Sequence, residues 1–256
     1  MIAKNIDEVI EILEQIIQET KSAESTLGYF AALYQKVTIC VKERLNTNYF
    51  DDDERMEKLD VEFANRYLRA YADYKAGKKV TDSWRVTFDM EQKRSMIVLQ
   101  HLLLGMNAHI NLDLGITAAR ISIGTPMDGL KSDFNKINEI LKDLVEEVQN
   151  NLAQIWPMLF KLLKFTNKMD DHLVNFSMEL ARDGAWKFAN ELHQAEAPAV
   201  QEALIVDRDQ KVAKLTDLIT KRRPMGRILF AFIRLGERGK VSHKISVLQE
   251  KLNAES

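Results

Sequence analysis

Apolar residues recur along most of the chain at intervals of three and four, the period of a helix with one buried face. Ile6, Val9, Ile10, Ile12, Leu13, Ile16 and Ile17 form one such face over Ile6–Thr20. A second helix is expected from Ser25 to about Leu45, with Tyr29, Phe30, Leu33 and Tyr34 inward. The acidic loop Asp51–Glu54 leads into a third, Met56 to about Tyr74. After the basic turn Ala76–Thr81 and the phrase SWRVTFD, a fourth is expected from about Phe88 to Ser122, bent at Gly105 or Gly115. This segment, taken as residues 89 to 122, is the predicted buried centre. Ser132 or Asp133 is placed as the cap of a helix from Phe134 to about Leu152. A short apolar helix is expected from Pro157 to Thr166, and a long one from Asp170 or Asp171 to about Gln194. Three more follow, about Val200–Lys221, Met225–Leu235 and Lys240–Leu252. Four prolines and ten glycines are few breakers. The pattern predicts a single all-α, bundle-like domain over residues 1–256, with about nine or ten helices and residues 200–256 packed on the main bundle.

Within the central segment, LQHLLLGMNAHINLDLG (Leu99–Gly115) sets polar groups into an oily run. Residues 107–114 alternate polar and apolar as a strand would. The Asn, Ala and Asp content disfavours a strand, so the stretch is read as helix. Each buried polar group then needs a partner, because leaving one unpaired costs on the order of 1–3 kcal/mol. His101, Gly105, His109 and Asp113 are successive fourth residues and form one slowly drifting row. His109 and Asp113, one turn apart, can share a proton or an ion. His101 lies roughly 12 Å from His109 along the axis, too far to share one. Gly105 leaves room for another group to approach.

Composition narrows the function classes. The chain is 46% hydrophobic and 29% charged with formal net charge -2, which gives no general drive toward nucleic acid. Its single cysteine, Cys40, excludes an intrachain disulfide and a CxxC metal knuckle. With no signal-peptide pattern and no apolar run near the roughly 20 residues of a membrane span, a cytoplasmic location is expected. Walker, GxGxxG and GxSxG motifs are absent from the sequence.

The phrases RMEKLDVEFANRYL (Arg55–Leu68), SWRVTFD (Ser83–Asp89), LQHLLLGMNAHINLDLG and DFNKIN (Asp133–Asn138) resemble an uncharacterised bacterial family classed as a domain of unknown function. That resemblance implies a mostly helical domain and carries no activity. His109-Ile-Asn-Leu-Asp113 is also similar to the HxxxD pair of zinc-dependent phospholipases C and related single-strand nucleases. Here the residue four after His101 is Gly105 where their longer motif has aspartate, so the similarity is one of site type.

Two function classes follow. One is a metal-dependent hydrolase, or another enzyme acting on a small molecule or lipid. His101, His109, Asp113 and His172 are its catalytic candidates, and His109, Asp113 and His172 would hold a divalent transition metal such as zinc or iron. Asp60, Asp89 and Asp171 are further donor candidates. Arg66, Arg85, Trp84, Asn107 and Asn111 are candidate substrate contacts, with Arg66 also expected to bridge to Asp113 or Asp89. The other class is a non-catalytic binding or scaffolding protein whose polar core fixes helix register. No nucleic-acid partner is expected. The basic, oily segment 221–244 offers peripheral membrane contact if exposed, but its face Ile228, Leu229, Phe232 and Leu235 is expected to pack on the domain.

Overall fold

The computed structural model describes residues 2–157, 178–220 and 231–250. Its elements are α1 (Ile6–Ser22), α2 (Gly28–Lys42), α3 (Asp53–Lys75), α4 (Asp82–Asp89), α5 (Val98–Ala108), a π-helical turn (His109–Leu114), α6 (Gly115–Ile121), α7 (Asp128–Ile155), α8 (Met178–Gln194), α9 (Pro198–Thr220) and α10 (Val241–Gln249). Residues 231–236 are also helical, and no strand occurs among the described residues. The fold is all-α, as the periodicity predicts. Among the described residues no helix is long and apolar enough to cross a membrane.

Local chemistry sets the starts. Asn5 caps α1 by accepting from the Glu8 N–H at 2.8 Å. Asp52 caps α3 by accepting from the Arg55 N–H at 2.9 Å, and Asp53 and Glu54 complement the helix dipole. The acidic loop is therefore the beginning of α3.

The central segment departs from the expected continuous helix. It breaks after Asp89 into a 3-10 turn (Met90–Gln92) and restarts at Val98. Residues 92–95 are exposed and polar, so no apolar face carries the helix across them. Gly105 lies within α5 and Gly115 opens α6. The irregularity is the π turn between them, where the i→i+5 pattern widens the helix. Gly105 instead admits the Phe30 ring, which a Cβ there would overlap. At Gly115 a Cβ would lie 2.7 Å from Phe188 Cδ1 and 2.9 Å from the Ala185 carbonyl, so this glycine lets α6 sit against α8.

Two long-range caps join distant segments. α7 starts at Asp128, earlier than expected, and Asp133 lies inside it. There its carboxylate accepts from the backbone N–H groups of Asp51 (2.7 Å) and Asp52 (3.0 Å), capping the approach to α3 rather than its own helix. Asp209 of α9 does the same for α4, accepting from Asp82 N at 2.7 Å and Ser83 N at 2.9 Å.

The C-terminal segment corrects an expectation. Phe232 is 64% exposed and Leu235 84% exposed, while Ile233 is fully buried. A Cβ on Gly236 would overlap the Trp156 indole, so residues 231–236 pack through the 233 and 236 positions. That register turns Phe232 and Leu235 outward. Ile228 and Leu229, like Arg227, lie outside the described residues.

Candidate functional site

The π turn carries the polar centre. Asp113, fully enclosed, accepts from Arg66 Nε of α3 at 2.6 Å and from the Trp84 indole N–H of α4 at 2.8 Å. His109 Nδ1 stands 3.2 Å from the second of these oxygens. Burial pushes the Asp113 carboxyl up, but the Arg66 charge, the His109 contact and the Trp84 donor outweigh it, and it lies below the usual carboxylate range. An ionised carboxylate only accepts, so Nδ1 of His109 carries the proton and Nε2 carries the lone pair. Burial pushes the His109 pKa down; Asp113 pushes it partly back and Arg66 lowers it further, leaving it below the ordinary imidazole value. The imidazole is thus neutral at neutral pH.

Aromatic rings fix its plane. Phe63 of α3 stacks on it at 3.6 Å and 5°, and Tyr34 of α2 meets it edge-on at 4.6 Å. Phe30, seated by Gly105, and Trp84 complete the cage at 5.8 and 5.9 Å. Nε2 of His109 has no hydrogen-bond partner among the described residues.

His109 forms part of the wall of a cavity of about 270 Å³ between α2, α3, α5 with the π turn, and α7, closed at one side by α8. This is nearly twice the roughly 150 Å³ that admits benzene in an engineered core. Leucine, isoleucine, valine, methionine and phenylalanine dominate its lining. Four of the lining residues each hold a buried polar atom with no hydrogen-bond partner among the described residues: His109 Nε2, Tyr34 Oη, Asp60 Oδ2 and Arg182 Nε. Burial, with the Glu57 charge adding to it, raises the Asp60 carboxyl to about 7. Burial also lowers Arg182 to about 9 and holds the Tyr34 phenol well above its ordinary value.

The sequence candidates divide. Arg66, Trp84, His109 and Asp113 converge, and Asp60 reaches the same cavity from α3. Arg85 does not: it is exposed and pairs with Asp82 at 2.9 Å and Asp89 at 3.5 Å. Asn107 donates to the Val212 carbonyl and so ties α5 to α9, while Asn111 donates to Asn107 Oδ1 one turn back on the same helical path and holds that amide in place. His101 packs against Tyr29, away from the cavity walls, and burial together with Arg234 and Lys244 lowers it to about 4. Asp171 and His172 lie outside the described residues.

Among the described residues no three His, Cys, Asp or Glu side chains converge on one point. Both Asp113 oxygens face N–H donors, and Arg66 supplies the countercharge that a metal would supply. This donor set fits an oriented imidazole better than a metal centre.

Arg182 is the residue that sequence reasoning missed. Its signal was present: it shares the helical face of Ala185, Ala189 and Leu192, all buried, as a lone charge in an apolar stripe.

These features define an all-helical protein with an aspartate-held histidine beside a mostly apolar cavity. Residues 6–222 match a family of unknown function (DUF5995), and the chain belongs to it. No curated protein and no solved structure matches the chain.

Proposed function

We propose that this protein binds an apolar small molecule in the four-helix cavity and acts on it through His109, oriented by Asp113, as a neutral general base. The observation that carries the reading is the buried, unpartnered Nε2 of His109, a residue that lines the cavity, with Nδ1 occupied by Asp113. A buried acceptor of this kind costs free energy when unpaired, and a ligand that donates to it offsets the cost. The reaction class is one that begins with removal of a proton from the ligand or from a water beside it, which includes hydrolysis of a lipid-like ester. A divalent metal would need its remaining donors from outside the described residues, such as Asp171 or His172.

A second reading has its own support. The Asp113 cluster staples α3 and α4 to the π turn, as a register-fixing network in a non-catalytic binding protein would. The test is nitrogen NMR of protein labelled in its histidine rings, with acyl esters of graded chain length as ligands. The base reading expects an unprotonated Nε2 at pH 7 that shifts on binding, and ester turnover lost in His109→Gln. Binding without turnover by any ester leaves the scaffold reading. A doubly protonated ring at pH 7 overturns the base assignment.

A further inference from the structure

The polar atoms are unevenly placed along the cavity. α5 with the π turn lines it through Leu99, Leu102, Met106, Ile110 and Leu114, and α7 from Ile137 to Leu152. Each stretch covers about 22 Å at 1.5 Å per residue. The backbone N–H of Val98 donates to Glu237, and that of Arg238 to the Ile155 carbonyl, so Leu99 and Leu152 mark the same end. At the other end, Leu114 precedes Gly115, which packs on Ala185 one turn from Arg182, and Arg182 Nη2 donates to the Phe134 carbonyl, one turn before Ile137. Arg182 therefore stands at the Leu114 and Ile137 end, and the Leu99 and Leu152 end carries no charged lining residue, its polar side chain being the neutral amide of Gln149.

Arg182 is buried, its guanidinium lies 4.4 Å from the Phe134 ring centroid, and Nε is left over. Among the described residues no carboxylate forms an ion pair with it; Asp183 acts only as a nearby charge. An enclosed cation without a counterion costs several kcal/mol, which an anion delivered into the cavity would offset. One guanidinium matches one negative charge. Asp60 on the same walls opposes a second.

We infer that the ligand is a single unbranched acyl chain with a carboxylate head, the head at Arg182 and the tail running toward Leu99 and Leu152. The inference rests on the cavity reading above and adds the ligand's chemical class. Its test compares palmitate, 1-hexadecanol and hexadecyl phosphate on the full chain, read by tryptophan fluorescence and by the stoichiometry of the complex. Wild type should bind one palmitate, roughly tenfold or more tighter than hexadecanol, as a charge-assisted pair requires. Arg182→Met should erase that preference while hexadecanol binding stays, and Arg182→Lys should keep part of it. The three-ligand comparison on wild type decides the matter even if Arg182→Met does not fold. Equal binding of palmitate and hexadecanol overturns the carboxylate head but leaves the cavity reading standing. Tighter binding of hexadecyl phosphate, or a palmitate preference that persists in Arg182→Met, also overturns it. Binding of none of the three overturns both inferences.

Discussion

Replacing Asp60 by asparagine isolates the cost of keeping an acid in the cavity wall. The unfolded chain releases this proton near 3.8, whereas the folded protein holds it to about 7. Between those values the folded state carries the extra proton, so stability falls as pH rises. The penalty is absent below about 3.8 and fully developed above about 7. At 1.36 kcal/mol per pH unit that gap corresponds to about 4 kcal/mol. Asparagine removes the charge but leaves an amide unpaired, at about 1–3 kcal/mol. The variant should therefore be more stable than wild type by roughly 1–3 kcal/mol at pH 8. At pH 4, where the wild-type carboxyl is neutral in the folded state, the advantage should vanish or reverse. Urea unfolding followed by circular dichroism at both pH values measures the difference. A difference independent of pH, or a variant destabilised at pH 8, would refute the reasoning. The acid is then a stability sacrifice of the kind binding sites carry.

Asp113→Asn should cost about 2–4 kcal/mol in urea unfolding, because it strands the half-buried Arg66 charge; the same variant should move the His109 proton to Nε2, read by ring-nitrogen NMR. Gly105→Ala should cost about 1–3 kcal/mol, since the new methyl displaces Phe30; a shift in Trp84 fluorescence would accompany it, the two rings being 5.9 Å apart. Phe232→Ser should change stability by less than about 0.5 kcal/mol, as expected of a surface side chain. A loss of several kcal/mol there would mean that the residue packs after all.

What the sequence determined is what neighbours along the chain decide. Helix period made the class legible, and Asn5 and Asp52 acted as caps because their acceptors lie within one turn of the N–H groups they serve. The His109–Asp113 contact followed from a four-residue spacing, and the Arg66 bridge from the need to pair a charge on a buried face. Tertiary structure decided the rest. Whether Asp133 caps α7 or the approach to α3 depends on which N–H groups a fold brings near, not on its own neighbours. The π turn hides behind an alternation that also reads as a strand, because an extra residue in a turn leaves no local propensity mark. Phe232 was oily enough to pack, but Ile233 and Gly236 set the register that turned it out. The cavity belongs to no single segment. Four helices each contribute a mostly apolar face, and only their separation leaves space between them, with Arg182 and His109 among the residues that line it.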